Sequence, residues 1–156
     1  MKVEIYHIGK KQKNLYSDAE SEFEKRLKHY CQFDNIQIPP VKNASSLPVS
    51  ELLKAEALLF ESKIKGKGLV VLLDENGKQY DSITLSKKIG QFQMNTSKLV
   101  FVIGGAYGFD PEFKKKADMR LSLSPMTLPH HLARLVFIEQ LYRAFTILNN
   151  ESYHNE

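Results

Sequence analysis

Two hydrophobic periods take turns along the chain. Residues 2–8 (KVEIYHI) alternate apolar and polar positions, which predicts a half-buried strand with Val3 and Ile5 on one face. Leu15, Ala19, Phe23, Leu27 and Tyr30 then recur every three or four residues, the spacing of an amphipathic helix. A short strand over 33–38 (FDNIQI) stops at Pro39 and Pro40, which cannot continue a ladder. The stretch 39–50 is rich in Pro, Ser and Asn and is expected to be the most mobile connection. A helix over about 50–64 follows, with Leu53, Ala57, Phe60 and Ile64 inward.

The second half changes character. Residues 69–73 (LVVLL) and 99–103 (LVFVI) are continuously apolar, as strands covered on both faces are. Asp74-Glu75-Asn76-Gly77 closes the first of them with a turn signal, and a helix carrying Leu85, Ile89 and Phe92 lies between the two. Asp110-Pro111 supplies a capping residue and a proline for the first helical position, opening a short helix with Phe113 and Ala117 inward. Residues 120–123 (RLSL) predict a fifth strand. The last helix, about 130–148, carries Leu132, Leu135, Val136, Ile138, Leu141, Tyr142, Phe145 and Leu148, a band wider than one face needs. Strands alternating with helices predict an α/β fold, a mostly parallel sheet with helices on both faces.

Composition narrows the class without choosing a function. The 156 residues suit a single domain over 1–156, and 42% hydrophobic with 26% charged residues excludes collagen, coiled coil and wholesale disorder. No apolar run approaches a membrane span, and the alternating opening segment lacks the apolar core of a signal peptide. One cysteine, Cys31, excludes an internal disulfide and predicts a cytoplasmic protein. Lys and Arg exceed Asp and Glu by 22 to 18. A net charge of +4 permits a nucleic-acid partner but is thin for one small monomer, and two copies would grip phosphate better.

Ligands of open α/β sheets bind beyond the carboxyl ends of strands. Three such ends stand out: Leu73-Asp74, Gly104-Gly105, and Leu123 through Pro129. The dinucleotide fingerprint and the P-loop are both missing, so neither familiar mode of nucleotide-phosphate binding is expected. The Gly104-Gly105-x-x-Gly108 loop allows a ligand close to the backbone, though a tight turn would use the same residues. Segment 122–130, with prolines at 125 and 129, can be neither regular helix nor strand; its free backbone groups and Leu123, Met126 and Leu128 suit a flat ring. His7 and His29 read as satisfied or solvated, and His130 and His131 as cap or loop packing as readily as catalysis. Lys114-Lys115-Lys116 reads as a solvated helix face. Arg134 and Arg143, placed roughly on one side of the last helix, would serve a planar anion or an interface. No His/Cys/Asp/Glu cluster has metal-ligand spacing, and no serine elbow is present, so no metal and no serine triad is expected. On residue chemistry alone the closing Tyr153-His154 is a bland chain end.

Segments 101–109 (FVIGGAYGF), 121–130 (LSLSPMTLPH) and 139–145 (EQLYRAF), with the closing Tyr153-His154, resemble the ribosomal RNA large subunit methyltransferase H family of the SPOUT methyltransferases. The resemblance runs essentially the whole length. It implies a deep C-terminal trefoil knot, a homodimer, and S-adenosylmethionine as methyl donor. It also implies methylation of N3 of a pseudouridine in a 23S rRNA stem-loop on the assembled ribosome. The family's cofactor positions fall on Leu73, Gly104, Gly105, Leu123, Ser124, Pro125, Met126, Thr127 and Leu128. Its catalytic part falls on His154, to assist removal of the N3 proton, Tyr153, to position the tail, and Arg143, to stabilise negative charge or orient substrate, with a site that can combine both subunits. Two other readings stay open: a SPOUT enzyme acting on tRNA, which would methylate free tRNA, and a non-catalytic ligand-binding module, which would bind cofactor without transferring methyl to any RNA.

Overall fold

The computed structural model describes residues 1–10 and 12–155. Five strands form one sheet in the order β2-β1-β4-β3-β5, and every pairing is parallel. The strands are β1 (Lys2–Ile8), β2 (Gln32–Ile38), β3 (Leu69–Gln79), β4 (Lys98–Ile103) and β5 (Met119–Ser122). The helices are α1 (Ser17–Leu27), α2 (Val49–Lys63), α3 (Ser82–Asn95), α4 (Pro111–Lys116) and α5 (His130–Leu148). The α/β class and the two covered faces follow the sequence pattern. Val3, Ile5, Leu99, Phe101 and Ile103 pack on Leu27, Leu85, Ile89, Phe137 and Leu141 of α1, α3 and α5. Tyr6, Leu72, Val100 and Val102 face the other way, onto Ala57 and Phe60 of α2 and Phe113 of α4.

Local chemistry sets several boundaries. Asp81 caps α3 by accepting from Thr84 N–H at 2.6 Å, and Asp110 caps α4 by accepting from the N–H groups of Glu112 and Phe113 at 2.9 and 3.1 Å. Four expectations need correction. Leu15 precedes α1 and is 95% exposed, because the helix begins only at Ser17. Tyr30 lies beyond the helix's end and stacks on Phe145 with centroids 5.8 Å apart. On α2 it is Leu52, not Leu53, that is buried, since the helix presents Leu52, Glu56, Ala57 and Phe60 to the sheet.

The fourth correction shapes the site. Asp74–Gly77 does not end β3. Leu73 and Lys78 both pair with Leu121 of β5, so four residues bulge from a strand that resumes through Gln79. The segment 39–50 also carries a turn of 3-10 helix at Ala44–Ser46 before α2 begins at Val49.

The candidate active site

β3, β4 and β5 lie side by side, so their carboxyl ends open onto one cleft of about 770 Å3. Its walls are the β3 bulge, the glycine loop after β4, the segment after β5, and the first turn of α5 through His130 and Ala133. Of the nine sequence-predicted cofactor positions, all but Pro125 line this cleft. Pro125 shapes the loop without facing the cavity.

Two features make the floor close to bare backbone. A Cβ on Gly104 would lie 2.8 Å from the Gly108 carbonyl oxygen, and one on Gly105 would lie 2.8 Å from Oε1 of Glu56. Neither position tolerates a side chain without displacement, so the loop presents peptide groups to whatever enters. The opposite wall is pinned by hydrogen bonds. Ser122 donates to the Ser124 carbonyl at 3.0 Å, Met126 N–H donates to Ser124 Oγ at 2.9 Å, and Thr127 donates to Glu75 at 3.1 Å, tying this loop to the bulge. Met126 is 72% exposed, at the rim.

Asp74 is buried in the bulge. Burial alone would raise its pKa; the Asn76 N–H at 3.0 Å and the Lys114 ammonium at 3.0 Å outweigh that and hold it below the ordinary carboxylate value. Lys114 therefore belongs to the cleft wall, where the charge run at 114–116 alone suggested a solvated face. The rings of His130 and His131 contact each other across Nε2 atoms 3.1 Å apart. Burial lowers both pKa values, and for His130 the neighbouring His131 adds to it.

The three predicted catalytic residues meet each other, but elsewhere. Arg143 donates to Glu139 Oε1 from Nη2 at 2.6 Å and from Nε at 3.1 Å, and Tyr153 OH donates to the same oxygen at 3.0 Å. The guanidinium covers the Tyr153 ring at 4.6 Å, and its Nη1 lies 3.3 Å from His154 Nδ1. Asn150, with φ +56°, turns the tail back along the helix. None of these residues lines the cleft. Ala133 does, and the ten residues to Arg143 correspond to about 15 Å of helix. Glu139 is the member that residue chemistry missed; its i,i+4 spacing to Arg143 is the signal that could have found it.

Arg134 does not share Arg143's side. Nine residues are two and a half turns at about 3.6 residues per turn, and Arg134 is buried on the sheet side against His7 and Glu20.

A family model described as "Predicted SPOUT methyltransferase" matches residues 1–154. This chain belongs to the SPOUT methyltransferase family. Proteins named Ribosomal RNA large subunit methyltransferase H are similar to it over nearly the whole of both chains. That of Christiangramia forsetii is 45% identical, covering 99% of each. Those of Flavobacterium johnsoniae and Parabacteroides distasonis are 43% and 41% identical, covering 100% of each. A solved structure of a probable methylase family protein from Haemophilus influenzae Rd KW20 shares the fold, with a TM-score of 0.56 at 14% identity, covering 99% of this chain and 70% of that one. Among the described residues of this SPOUT chain, no helix is long and apolar enough to cross a membrane, and no group of three or more His, Cys, Asp or Glu could hold a metal ion.

Proposed function

We propose that this SPOUT chain methylates N3 of a pseudouridine in a 23S rRNA stem-loop on the assembled ribosome, with S-adenosylmethionine as donor. The observation that carries the reading is the full-length similarity to rRNA large subunit methyltransferases H, joined to a cleft at the carboxyl ends of β3, β4 and β5 lined by the glycine loop and the segment after β5. The cleft fits such a cofactor. Its volume holds a nucleoside with an amino-acid arm, the loop of Leu123, Ser124, Met126, Thr127 and Leu128 offers apolar contact and backbone groups to a flat base, and Gly104 and Gly105 admit close approach. Leu73, Gly104, Gly105, Leu123, Ser124, Met126, Thr127 and Leu128 would hold it, with Pro125 shaping the loop. When bound, it supplies an activated methyl group.

The remaining work falls to the chain: align the acceptor nitrogen, move its proton, and exclude water. N3–H of pseudouridine is a weakly acidic imide, so its deprotonation creates the nucleophile. Arg143, fixed by Glu139, is the charge that stabilises the resulting anion or orients the base. Tyr153, hydrogen-bonded to Glu139 and stacked under the guanidinium, holds the tail. His154 is the group that takes the proton. Its Nδ1 faces Arg143 Nη1 at 3.3 Å, a long contact, and Nε2 is the nitrogen left to meet N3–H. Accepting there requires the tautomer protonated on Nδ1, so the Arg143 contact loosens as RNA engages the guanidinium.

The separation along α5 places the tail cluster and the cleft of one chain apart, so the reading requires a homodimer in which one copy's tail serves its partner's cleft. Leu132, Leu135 and Val136, spaced i, i+3, i+4 and only half-buried, give α5 an apolar strip for a second copy. Pairing also doubles the positive charge available to rRNA. The reading includes the family's C-terminal trefoil knot and action in the cytoplasm without a metal.

The test is transfer of labelled methyl from S-adenosylmethionine to assembled ribosomes lacking the modification, with free 50S subunits and bulk tRNA in parallel. Label recovered as 3-methylpseudouridine from assembled ribosomes is the expected result. Transfer to tRNA, or cofactor binding with no transfer to rRNA, overturns it.

A further inference from the structure

Of the nine phenylalanines and seven tyrosines in the chain, all but one are at least partly buried; Tyr107 is the exception, 62% exposed. It borders the cleft from the loop between β4 and α4. Gly108 N–H donates to the Gly105 carbonyl at 3.2 Å, which closes a tight turn with Ala106 and Tyr107 at its tip. Gly108 leaves that turn at φ +79°, where a side chain would be strained. Both stems are anchored. Ile103 is buried at the end of β4, and the buried Phe109 packs on Phe60 and Phe113 with ring centroids 6.4 and 6.1 Å away. The turn is a fixed mount, and what it holds out into solvent is a ring.

A single exposed apolar side chain on an open surface is ordinary. Tyr107 differs by its place. Met126, from the segment after β5, borders the same cleft and is also exposed, so two opposing walls each carry an exposed apolar side chain. Gly104, Gly105 and the loop after β5 already offer a cofactor its peptide groups and apolar contact. That leaves the tip of the turn to the molecule that has to come in from solvent to reach the methyl group.

We propose that Tyr107 is a stacking platform for a base of the substrate RNA, unstacked at the mouth of the cleft, an inference that rests on the RNA reading above. A base in a stem-loop has to leave its stack to bring a ring nitrogen to a donor held in a cleft. Proteins that take up such splayed bases stack them on aromatic rings. Every base has a π-face, so this platform accepts the base without reading its identity, and sequence selectivity lies elsewhere.

The chain has no tryptophan, so Tyr107→Trp places its one indole at the tip of the turn. Emission of this full-length variant is followed at low salt through additions of S-adenosylmethionine, then of dodecauridylate RNA up to about 1 mM, or of an abasic ribose-phosphate dodecamer of the same charge. The expected result is a solvated indole in the free protein, unchanged by S-adenosylmethionine, quenched by the RNA and unmoved by the abasic strand. In calorimetric titrations Tyr107→Ala weakens dodecauridylate binding about tenfold and Tyr107→Phe keeps most of it, while both bind the cofactor and the abasic strand within about twofold of the wild type. A shielded indole in the free protein would assign the ring to contacts with a second copy. Quenching by S-adenosylmethionine alone, or lost cofactor affinity in Tyr107→Ala, would assign it to the cofactor. Each of these overturns the proposal, as does RNA that quenches no more than the abasic strand or binds Tyr107→Ala as tightly as the wild type. No methyl transfer is read, so failure here leaves the rRNA assignment standing, and failure of that assignment leaves these titrations readable.

Discussion

The Glu56 carboxylate lies against Gly105 so closely that a methyl group there would meet Oε1 at 2.8 Å and Oε2 at 3.0 Å. α2, on one face of the sheet, thus sets the height of the glycine loop that floors the cleft. Glu56 is buried, and that burial raises its pKa. Gly105→Ala is expected to destabilise the chain by about 1 kcal/mol, the low end of overpacking, because the Glu56 carboxylate it meets ends a flexible side chain that can shift at the cost of its buried position, and to weaken cofactor binding. In a Glu56→Ala background the same substitution should cost far less, because the opposing atoms are gone. Urea unfolding of the four species of this cycle checks the coupling; strictly additive losses would show that Glu56 does not set the loop.

His7 makes stability depend on pH. Its burial, then the Arg134 guanidinium, with smaller contributions from His130 and His131, push its pKa down to about 3, against the opposite pull of Asn35. In the unfolded chain it titrates near 6.5. On acidification the unfolded state therefore takes the proton first. The stabilising contribution is whole above pH 6.5 and shrinks toward pH 3, by about 1.4 kcal/mol per pH unit. Between pH 6.5 and pH 5 the wild type should lose about 2 kcal/mol from this group, and His7→Gln should lose correspondingly less. Equal slopes of unfolding free energy against pH in the two proteins would contradict this.

What sequence could and could not reveal follows the range of each interaction. Five-residue runs as apolar and β-branched as 69–73 and 99–103, too short for a helix, signal central strands, and Asp110-Pro111 is a local helix signal, so these are legible. Leu15 fits the helical spacing yet lies outside the helix, because the apolar period runs on before the point where the helix begins. The β3 bulge has the local signature of a turn because Asp74-Glu75-Asn76-Gly77 has turn chemistry, whereas its return to β5 depends on a partner more than forty residues away. His7 has the pattern of an ordinary strand residue because the group that reaches it, Arg134, comes from α5 and is itself held by Glu20 of α1. The loops around the cleft were legible as candidates, since glycine pairs and prolines mark irregular backbone wherever they occur. Glu139 and Glu56 were not: a glutamate on a helix gives no local sign that it faces inward.

Arg143, with Glu139 beneath it, is expected to act on the acceptor base alone. Arg143→Ala should lower the single-turnover rate of methyl transfer to ribosomes by about 100-fold or more. Its effect on the dissociation constant for S-adenosylmethionine should stay within about twofold, because its partners are Glu139, His154 and Tyr153, none of which lines the cleft, and its proposed work is on the acceptor base. Arg143→Lys should recover little, since a lysine lacks the planar fork that grips Glu139 and covers Tyr153. Calorimetric titration with the cofactor, beside the transfer assay, separates the two effects; a large loss of cofactor affinity would move Arg143 into the cleft's own machinery.

If one copy's tail serves its partner's cleft, two different inactive variants should rescue each other. Gly104→Val fills the floor where even a Cβ would lie 2.8 Å from the Gly108 carbonyl oxygen, so it disables the cleft and leaves the tail whole. Arg143→Ala disables the tail and leaves the cleft whole. Each homodimer is then dead at both sites. After unfolding and refolding together in equal amounts, half of the dimers are mixed, and each mixed dimer holds one site with an intact cleft and an intact tail. Recovery of about a quarter of wild-type transfer activity is the expected outcome. A site complete within one chain gives no recovery, because every chain in the mixture carries one defect. Val136→Lys, placed in the half-buried strip of α5, should lower self-association in light scattering and abolish the rescue with it.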